Sequence, residues 1–439
     1  MKKILLLIFY IINIYVNPLS GLEIDVTEGK IEPLPIAVVK FNSQDATEED
    51  YSLKINTIIS NNLRNTGLFK ILSEKSFLQS ENEVFLQPLF SDWRLIDANF
   101  LISGEIFINN RLLKINFKLW DIYQEKLVVN KNISGISESD WRTSSHIISN
   151  IIYENITGEK GYFDTKVVYV AEEGDGAEKS RKLAIMDYDG NNHKILTDGK
   201  DLVLTPRFSP DGKNIVFLQY KNNKASVYLM NLKSKNTKIL GNYLGMSFAP
   251  RFSPDGKKII MSFAMDGNSD IYTMDLENRI VERITNHPSI DTSPSYSPDG
   301  KYIAFNSDRS KYQQIYVMKS DGSNVKRISF GNGLYGTPVW SPRGDLIAFT
   351  KLHKGKFYIG VMRTDGSGER LLTENFYQEA PSWSPNGRVL IFYRETKTDE
   401  KGEGFTAKLW SIDLTGYNER QVITETDASD PSWSSLLSN

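Results

Sequence analysis

The chain has 439 residues and a nearly balanced charge, with 52 Lys and Arg against 54 Asp and Glu. It has no basic block, so the composition disfavours nucleic-acid binding, which requires a basic patch. The absence of cysteine excludes disulfides and makes zinc sites of the usual thiolate composition unexpected. Two domains in a chain of this length can still bury enough apolar surface to hold the fold.

The first 21 residues are typical of a secretory signal peptide. Lys2 and Lys3 form a short positive region, residues 4–16 are apolar except for Asn13, and small residues follow. The apolar stretch is shorter than a membrane-spanning helix requires. This favours a cleaved signal peptide over the alternative of an uncleaved membrane anchor. No second stretch reaches membrane-spanning length. We therefore expect the mature chain in the periplasm, without direct membrane insertion.

Residues 22–30 form a short segment in which apolar and polar side chains alternate. The alternating residues are Leu22, Glu23, Ile24, Asp25, Val26 and Thr27. Gly29 and two nearby prolines separate the segment from the next predicted strand. The pattern fits two interpretations equally well: an ordinary edge strand or loose tail, or a strand that another protein captures by β-augmentation.

Residues 31–159 predict an α/β domain. Residues 35–41 are an apolar run typical of a buried strand, and the acidic residues after Thr47 indicate a helix start. Gly67 stands where a left-handed residue would end that helix. Residues 100–106 and 113–119 predict a hairpin, because the second run alternates strictly between apolar and polar. A second amphipathic helix is predicted over residues 140–156, followed by a linker.

One short motif, Pro-x-aromatic-Ser-Pro-x-Gly, recurs through residues 160–439. Its first prolines are 44, 44, 44, 43 and 50 residues apart, and they are Pro206, Pro250, Pro294, Pro338, Pro381 and, in a truncated copy, Pro431. A period of about 40–45 residues with short strands in each unit is the signature of a β-propeller blade.

The Ser-Pro-Asp-Gly part of each repeat predicts a hairpin turn. Pro and Asp suit the central positions of a turn, and Gly takes the left-handed position. A metal or catalytic loop is the alternative interpretation. The turn is favoured, because Arg343 and Asn386 replace the Asp without disturbing the period.

The two ends of the repeat array complement each other. Three strands without an inner strand are predicted before Pro206, and an inner strand without partners is predicted at residues 430–434. Joining the two ends gives a sixth blade and leaves no free sheet edge. The predicted fold is therefore an α/β N-terminal domain followed by an all-β six-bladed propeller whose first blade is closed by the C-terminal strand.

No catalytic, cofactor or metal site is predicted. The four histidines have no metal-ligand spacing, and neither a nucleophile elbow nor a Walker loop is present. Carboxylates are plentiful, so two other classes stay open: a hydrolase or small-ligand-binding protein built on the propeller, and a ligand-free scaffold.

The chain resembles the TolB family of the periplasmic Tol–Pal system over essentially its whole mature length. The resemblance rests on the acidic-apolar segment, on the runs Pro35–Val39, Leu63–Phe69 and Thr157–Phe163, and on the repeats that follow. It implies a binding protein rather than an enzyme, with no cofactor. The partners it implies are the lipoprotein Pal at the propeller mouth and TolA at Leu22–Thr27. In some relatives bacteriocin translocation segments use the same propeller site.

The propeller mouth is expected where the chain enters each inner strand, just before the repeated proline. The side chains predicted to form this rim are mostly small and neutral. They are Thr205, Met246, Ala249, Thr292, Ser293, Thr337, Glu379, Ala380 and Asp430.

Overall fold

The computed structural model describes residues 32–174, 179–222, 224–241, 246–265, 267–397 and 405–437. The predicted signal peptide and the segment at residues 22–30 lie outside the described residues. Within the described ranges, no helix combines the length and the apolar character that a membrane crossing requires.

The N-terminal region is a five-stranded sheet with helices. Its elements are β1 (Leu34–Val38), α1 (Ala46–Asn65), β2 (Phe69–Ile71), α2 (Glu81–Leu86), α3 (Phe90–Leu95), β3 (Phe100–Asn109), β4 (Leu112–Asp121), β5 (Lys126–Ser137) and α4 (Trp141–Thr157), with 3-10 turns at Glu74–Ser76 and Glu138–Asp140. The sheet order is β2-β1-β3-β4-β5. Strand β1 is parallel to β2 and β3, whereas β3, β4 and β5 are antiparallel neighbours.

Local sequence signals account for helix α1. The helix begins one residue before the predicted start because Asp45 caps it, accepting hydrogen bonds from the N–H groups of Thr47 and Glu48 at 2.8 and 2.9 Å. At the other end Gly67 has a φ of +74°, in the left-handed region that the sequence predicts. The apolar face of the helix, including Ile55 and Ile59, is fully buried in the core of this region.

Twenty-four strands in six four-stranded antiparallel sheets form the propeller. They are β6 (Lys166–Glu173), β7 (Ser180–Asp187), β8 (Lys194–Ile195), β9 (Leu202–Phe208), β10 (Asn214–Lys221), β11 (Lys224–Asn231), β12 (Thr237–Gly241), β13 (Met246–Phe252), β14 (Lys258–Met265), β15 (Asn268–Asp275), β16 (Val281–Arg283), β17 (Asp291–Tyr296), β18 (Tyr302–Ser307), β19 (Gln314–Lys319), β20 (Lys326–Arg327), β21 (Leu334–Trp340), β22 (Leu346–His353), β23 (Lys356–Arg363), β24 (Arg370–Asn375), β25 (Tyr377–Trp383), β26 (Val389–Lys397), β27 (Phe405–Asp413), β28 (Arg420–Val422) and β29 (Asp427–Trp433).

The ring closes between its two ends, as the sequence predicts. Strand β29 pairs antiparallel with β6, so the first blade has the order β29-β6-β7-β8. The N–H of Lys166 donates to Ser434 Oγ at 2.9 Å, and the indole N–H of Trp433 donates to Thr165 Oγ1 at 2.8 Å. These bonds join residues that lie 268 positions apart.

A β-bulge interrupts every inner strand at the repeated proline. In β9, for example, Thr205 and Pro206 together oppose the single residue Phe217 of β10. The residue before each proline has a positive φ, between +45° and +55°, although none is a glycine: these residues are Thr205, Ala249, Ser293, Thr337, Ala380 and Asp430. A left-handed residue in the first position of a bulge bends the strand and increases its twist.

The Ser-Pro-Asp-Gly stretches are hairpin turns. In the first repeat the Ser209 hydroxyl donates to Asp211, and Ser209 Oγ accepts the N–H of Asn214 at 2.9 Å. Gly212 has a φ of +67°. Burial opposes ionisation of Asp211, but the hydrogen bond from Ser209 and the neighbouring lysine lower its pKa overall. The Asp211 carboxylate therefore accepts a hydrogen bond within its own turn, which supports the turn interpretation over a metal loop.

Deleting residues 430–439 is predicted to open the ring. The deletion removes the buried Trp433 and the β29–β6 pairs of Ser432 and Trp433, so the free energy of unfolding should fall by at least about 4 kcal/mol, as for truncation of a large core side chain. Urea unfolding measures this change. A matched chain that lacks only residues 435–439 should stay close to the intact protein. Equal stability of all three chains would contradict closure by β29.

Candidate functional site

The two faces of the propeller differ in what they contact. Each blade has four antiparallel strands, so the chain enters every inner strand from the same side of the propeller. We call this side the entry face and the opposite side, where the inner strands end, the turn face. The Ser-Pro-x-Gly turns lie on the turn face. Two of them contact the linker: Arg343 is 3.3 Å from the Glu159 carboxylate, and the Asn386 amide donates to the carbonyl of Lys160 at 2.9 Å. The N-terminal region thus packs against the turn face.

The predicted rim residues lie inside the inner strands rather than in the loops that enter them. The inner strand β9 begins at Leu202, three residues earlier than Thr205, and the other inner strands are extended in the same way. Six of the nine predicted residues are the left-handed bulge residues, which line up around the channel. Thr292 and Glu379 directly precede two of them, and Met246 begins β13. The residues therefore lie in strands and bulges rather than in entry loops, because the bulge is not visible in the residue types, and their role as a partner-binding rim stays a prediction.

Two carboxyl groups, those of Glu379 and Asp430, lie on the neighbouring inner strands β25 and β29 of this ring. Burial raises the pKa of Glu379, and the charge of Asp430 raises it further. Burial also raises the pKa of Asp430, although Arg207 acts in the opposite direction. Tyr377 donates to Glu379 at 2.8 Å, and the N–H of Thr205 donates to Asp430 at 3.2 Å. Both carboxyls therefore have partners within the protein, and they are the acidic members of a rim whose other predicted residues are neutral.

Exposed apolar side chains lie on part of the entry face, in or beside the connections into β17, β21 and β25. Phe330 is 72% exposed in the connection between two blades, and Phe376, 51% exposed, occupies the equivalent connection into β25. The rings of Phe376 and Phe405 stack 6.0 Å apart, and the Arg327 guanidinium lies 5.0 Å from the centre of the Phe330 ring. Ile290 and Leu334 belong to the same face. Large exposed apolar side chains around a concave opening are typical of protein-binding surfaces.

These apolar side chains were not predicted from the sequence. An aromatic residue within the polar, glycine-containing stretch Phe330–Gly333 was the available signal, since inter-blade loops ordinarily need no apolar side chain.

A polar network joins the N-terminal region to the first blade. The Tyr188 hydroxyl donates to Asn62 Oδ1 at 2.5 Å, and Asn62 Nδ2 donates to Ser149 Oγ at 2.8 Å and meets His146 Nδ1 at 3.0 Å. The amide thus makes His146 Nδ1 an acceptor and leaves the ring proton on Nε2. Burial lowers the pKa of His146 to about 4, although the nearby Asp189 acts in the opposite direction. The histidine is structural and neutral.

His146, Asp187 and Asp189 place their ligand atoms within 4.8 Å of one another, which raises the question of a metal site. Protein cations already occupy the two carboxylates. Arg142 bonds to Asp189 and lies 3.1 Å from Asp187, and Lys166 lies 2.7 Å from Asp187. The cluster is therefore an ion-pair junction between helix α4 and the β7–β8 turn, and its charges are balanced without a metal.

Comparison with known proteins places both regions in one family. A family model described as the TolB amino-terminal domain matches residues 22–128, and one described as the TolB beta propeller domain matches residues 153–437. A protein from Pelagibacter ubique named Tol-Pal system protein TolB is 62% identical, with 100% of this chain and 99% of that protein covered. A protein of the same name from Paramagnetospirillum magneticum is 58% identical, with 95% and 94% covered.

A solved structure agrees with the architecture. The crystal structure of TolB from Acinetobacter baumannii matches with a TM-score of 0.82 at 27% identity, over 92% of this chain and 97% of that one.

The neutral His146 predicts a pH-dependent stability. Unfolding returns its pKa from about 4 to about 6.5, so the unfolded chain binds more protons between these values. The contribution of His146 to the free energy of unfolding is fully present above pH 6.5. It is lost as the pH falls towards 4, by up to about 3 kcal/mol.

Urea unfolding from pH 7 to pH 4 tests this loss. His146→Asn keeps an acceptor towards Asn62 and should flatten the pH dependence, whereas His353→Asn, on the hairpin between β22 and β23, should not. If the free energy of unfolding of His146→Asn depended on pH as steeply as that of the wild type, His146 would be ruled out as the source of the pH dependence.

Proposed function

This chain belongs to the TolB family of Tol-Pal system proteins, and from this premise we propose that it is an adaptor between two partners. It binds the lipoprotein Pal at the entry face of the propeller and TolA through Leu22–Thr27. As a family member it is a periplasmic component of the Tol-Pal system, and the names of its relatives describe no enzyme. Through these partners it supports outer-membrane integrity and envelope constriction in cell division.

The observation that carries the Pal proposal is the set of exposed apolar side chains on the entry face. Phe330 and Phe376 stand on connections between blades, around the mouth of the channel. The contacts with the linker lie on the opposite face. A partner can therefore bury aromatic surface at the entry face without displacing the N-terminal region. Such aromatic side chains supply much of the affinity at protein interfaces.

The bulge residues inside this ring give the proposed interface its centre. They bring short side chains to the channel mouth, which lets a partner segment approach the backbone closely. Glu379 and Asp430 add polarity on one side only. An interface of this composition depends on shape and apolar contact more than on long-range charge.

The TolA proposal rests on the alternating segment before the first domain. The match to the TolB amino-terminal domain begins at residue 22, directly after the predicted signal peptide. Leu22, Ile24 and Val26 would present one apolar edge when the segment is extended, which suits addition to the sheet of a partner. We accordingly divide the chain into a signal peptide (1–21), a TolA-binding segment (22–30), an α/β domain (31–159) and the propeller (160–439).

Removal of the segment should separate the two binding activities. Calorimetric titration of the chain beginning at Leu22 should show binding of both the periplasmic domain of Pal and the C-terminal domain of TolA. A chain beginning at Ile31 should keep Pal binding and lose TolA binding. Undiminished TolA binding by the shorter chain would contradict the assignment of this segment, and absence of Pal binding in both chains would contradict the adaptor function.

Phe330→Ala is predicted to weaken Pal binding by about tenfold or more, because an aromatic side chain that becomes buried in an interface is worth about 2 kcal/mol. Its folding should be unaffected, since the side chain is mostly exposed. Leu86→Ala, at an exposed apolar position of helix α2, is the matched control and should bind Pal like the wild type. Equal affinity of both variants would exclude the Phe330 side of the entry face.

Ala249→Glu tests the ring of bulge residues. Ala249 already has a left-handed φ of +48°, so another non-glycine residue adds little backbone strain. A charged side chain at the channel mouth should obstruct Pal and lower its affinity by about tenfold. Ala46→Glu, at the exposed start of helix α1, adds the same charge elsewhere and should have no effect. Wild-type affinity in Ala249→Glu would count against this rim.

A further inference from the structure

The channel contains a cavity of about 240 Å³ at the end that opens on the turn face. Every inner strand contributes to its wall the residue that follows the repeated proline. These residues are Arg207, Arg251, Ser295, Val339, Ser382 and Ser432. The bulge sets their direction, because it restores regular pairing at this position, as between Arg207 and Val216. Two neighbouring blades therefore place arginines in one small cavity.

The two arginines have no carboxylate in salt-bridge contact among the described residues. Arg207 Nη1 donates to the carbonyl of Pro206 at 2.7 Å, which leaves most of its N–H groups for other acceptors. Asp430 influences Arg207 only at longer range. Burial lowers the pKa of Arg251, and the positive charge of Arg207 lowers it further. Two like charges in a confined space are unfavourable unless an anion balances them.

Three hydroxyl groups in the wall can also donate into the cavity. Ser295 Oγ accepts the N–H of Trp340 at 3.1 Å, and Ser382 Oγ accepts the N–H of Trp433 at 3.0 Å. Ser432 Oγ accepts the N–H of Phe208 at 3.4 Å. Each hydroxyl thus uses its oxygen as an acceptor from the adjacent blade, and its own proton remains available. The described wall therefore presents hydrogen-bond donors from several sides.

We propose that this cavity binds a small tetrahedral oxyanion, of the phosphate or sulfate type, between Arg207 and Arg251. Guanidinium groups match the geometry of such oxygens and bind them in pairs of hydrogen bonds. A tetrahedral anion has acceptors on all sides and can use donors from different blades, whereas a carboxylate has two oxygens in one plane. The site lies between the bulges and the turn face, and it is separate from the rim proposed for Pal.

Titration of the purified protein with inorganic phosphate, at an ionic strength held constant with chloride, tests the proposal. Calorimetry should show saturable binding, and the unfolding temperature should rise with phosphate concentration. Acetate in place of phosphate should bind at least about tenfold more weakly, because it can accept from fewer donors. No saturable phosphate binding, or equal binding of acetate, would overturn the assignment of a tetrahedral anion.

The variants Arg251→Gln and Arg207→Gln should each weaken phosphate binding by about tenfold or more, since each loses charged hydrogen bonds. Arg363→Gln, at an exposed position on β23, is the matched control and should bind phosphate like the wild type. In chloride alone Arg251→Gln should unfold at the same temperature as the wild type or higher, because it relieves repulsion between like charges. A double variant that responds to phosphate like the wild type would overturn the site.

Discussion

Six inner strands must converge on one axis, and the bulge before each repeated proline makes this possible. At each bulge two residues oppose one, and the first takes a left-handed conformation that costs a non-glycine residue about 1–2 kcal/mol. The single opposing residue, such as Phe217, is fully buried, and its packing offsets that cost. The bulge also sets which side chains meet the channel: the residue before the proline lies at the mouth, and the residue after it lines the cavity.

The sequence predicted the propeller, its six blades and its closure, because hairpin turns demand Pro and Gly at fixed intervals and those residues are visible. It also predicted helix α1 to within a residue, through Gly67 and the acidic first turn. The bulges were not predictable, since their left-handed residues are Thr, Ala, Ser and Asp rather than Gly. The contact between Asn62 and Tyr188 joins residues 126 positions apart, and no local pattern indicates such a pair.

The surfaces of this protein are divided between separate tasks. The turn face contacts the linker through Arg343 and Asn386, while the junction at His146 fixes helix α4 against the first blade. The entry face keeps its aromatic side chains exposed. This division suits the proposed adaptor function, because a partner at one face need not compete with the contacts of the N-terminal region at the other.

Closure by β29 also sets the step at which the ring can become complete during folding. Strand β6 lies near the start of the propeller, yet it gains its inner neighbour β29 only when the part of the chain that follows the five other blades docks. Until then the first blade exposes an unpaired edge, and the ring exists only as an arc of stacked sheets. Folding must therefore pass through a stage at which this strand edge is uncovered, so factors that mask exposed strand edges matter most for this protein before β29 docks.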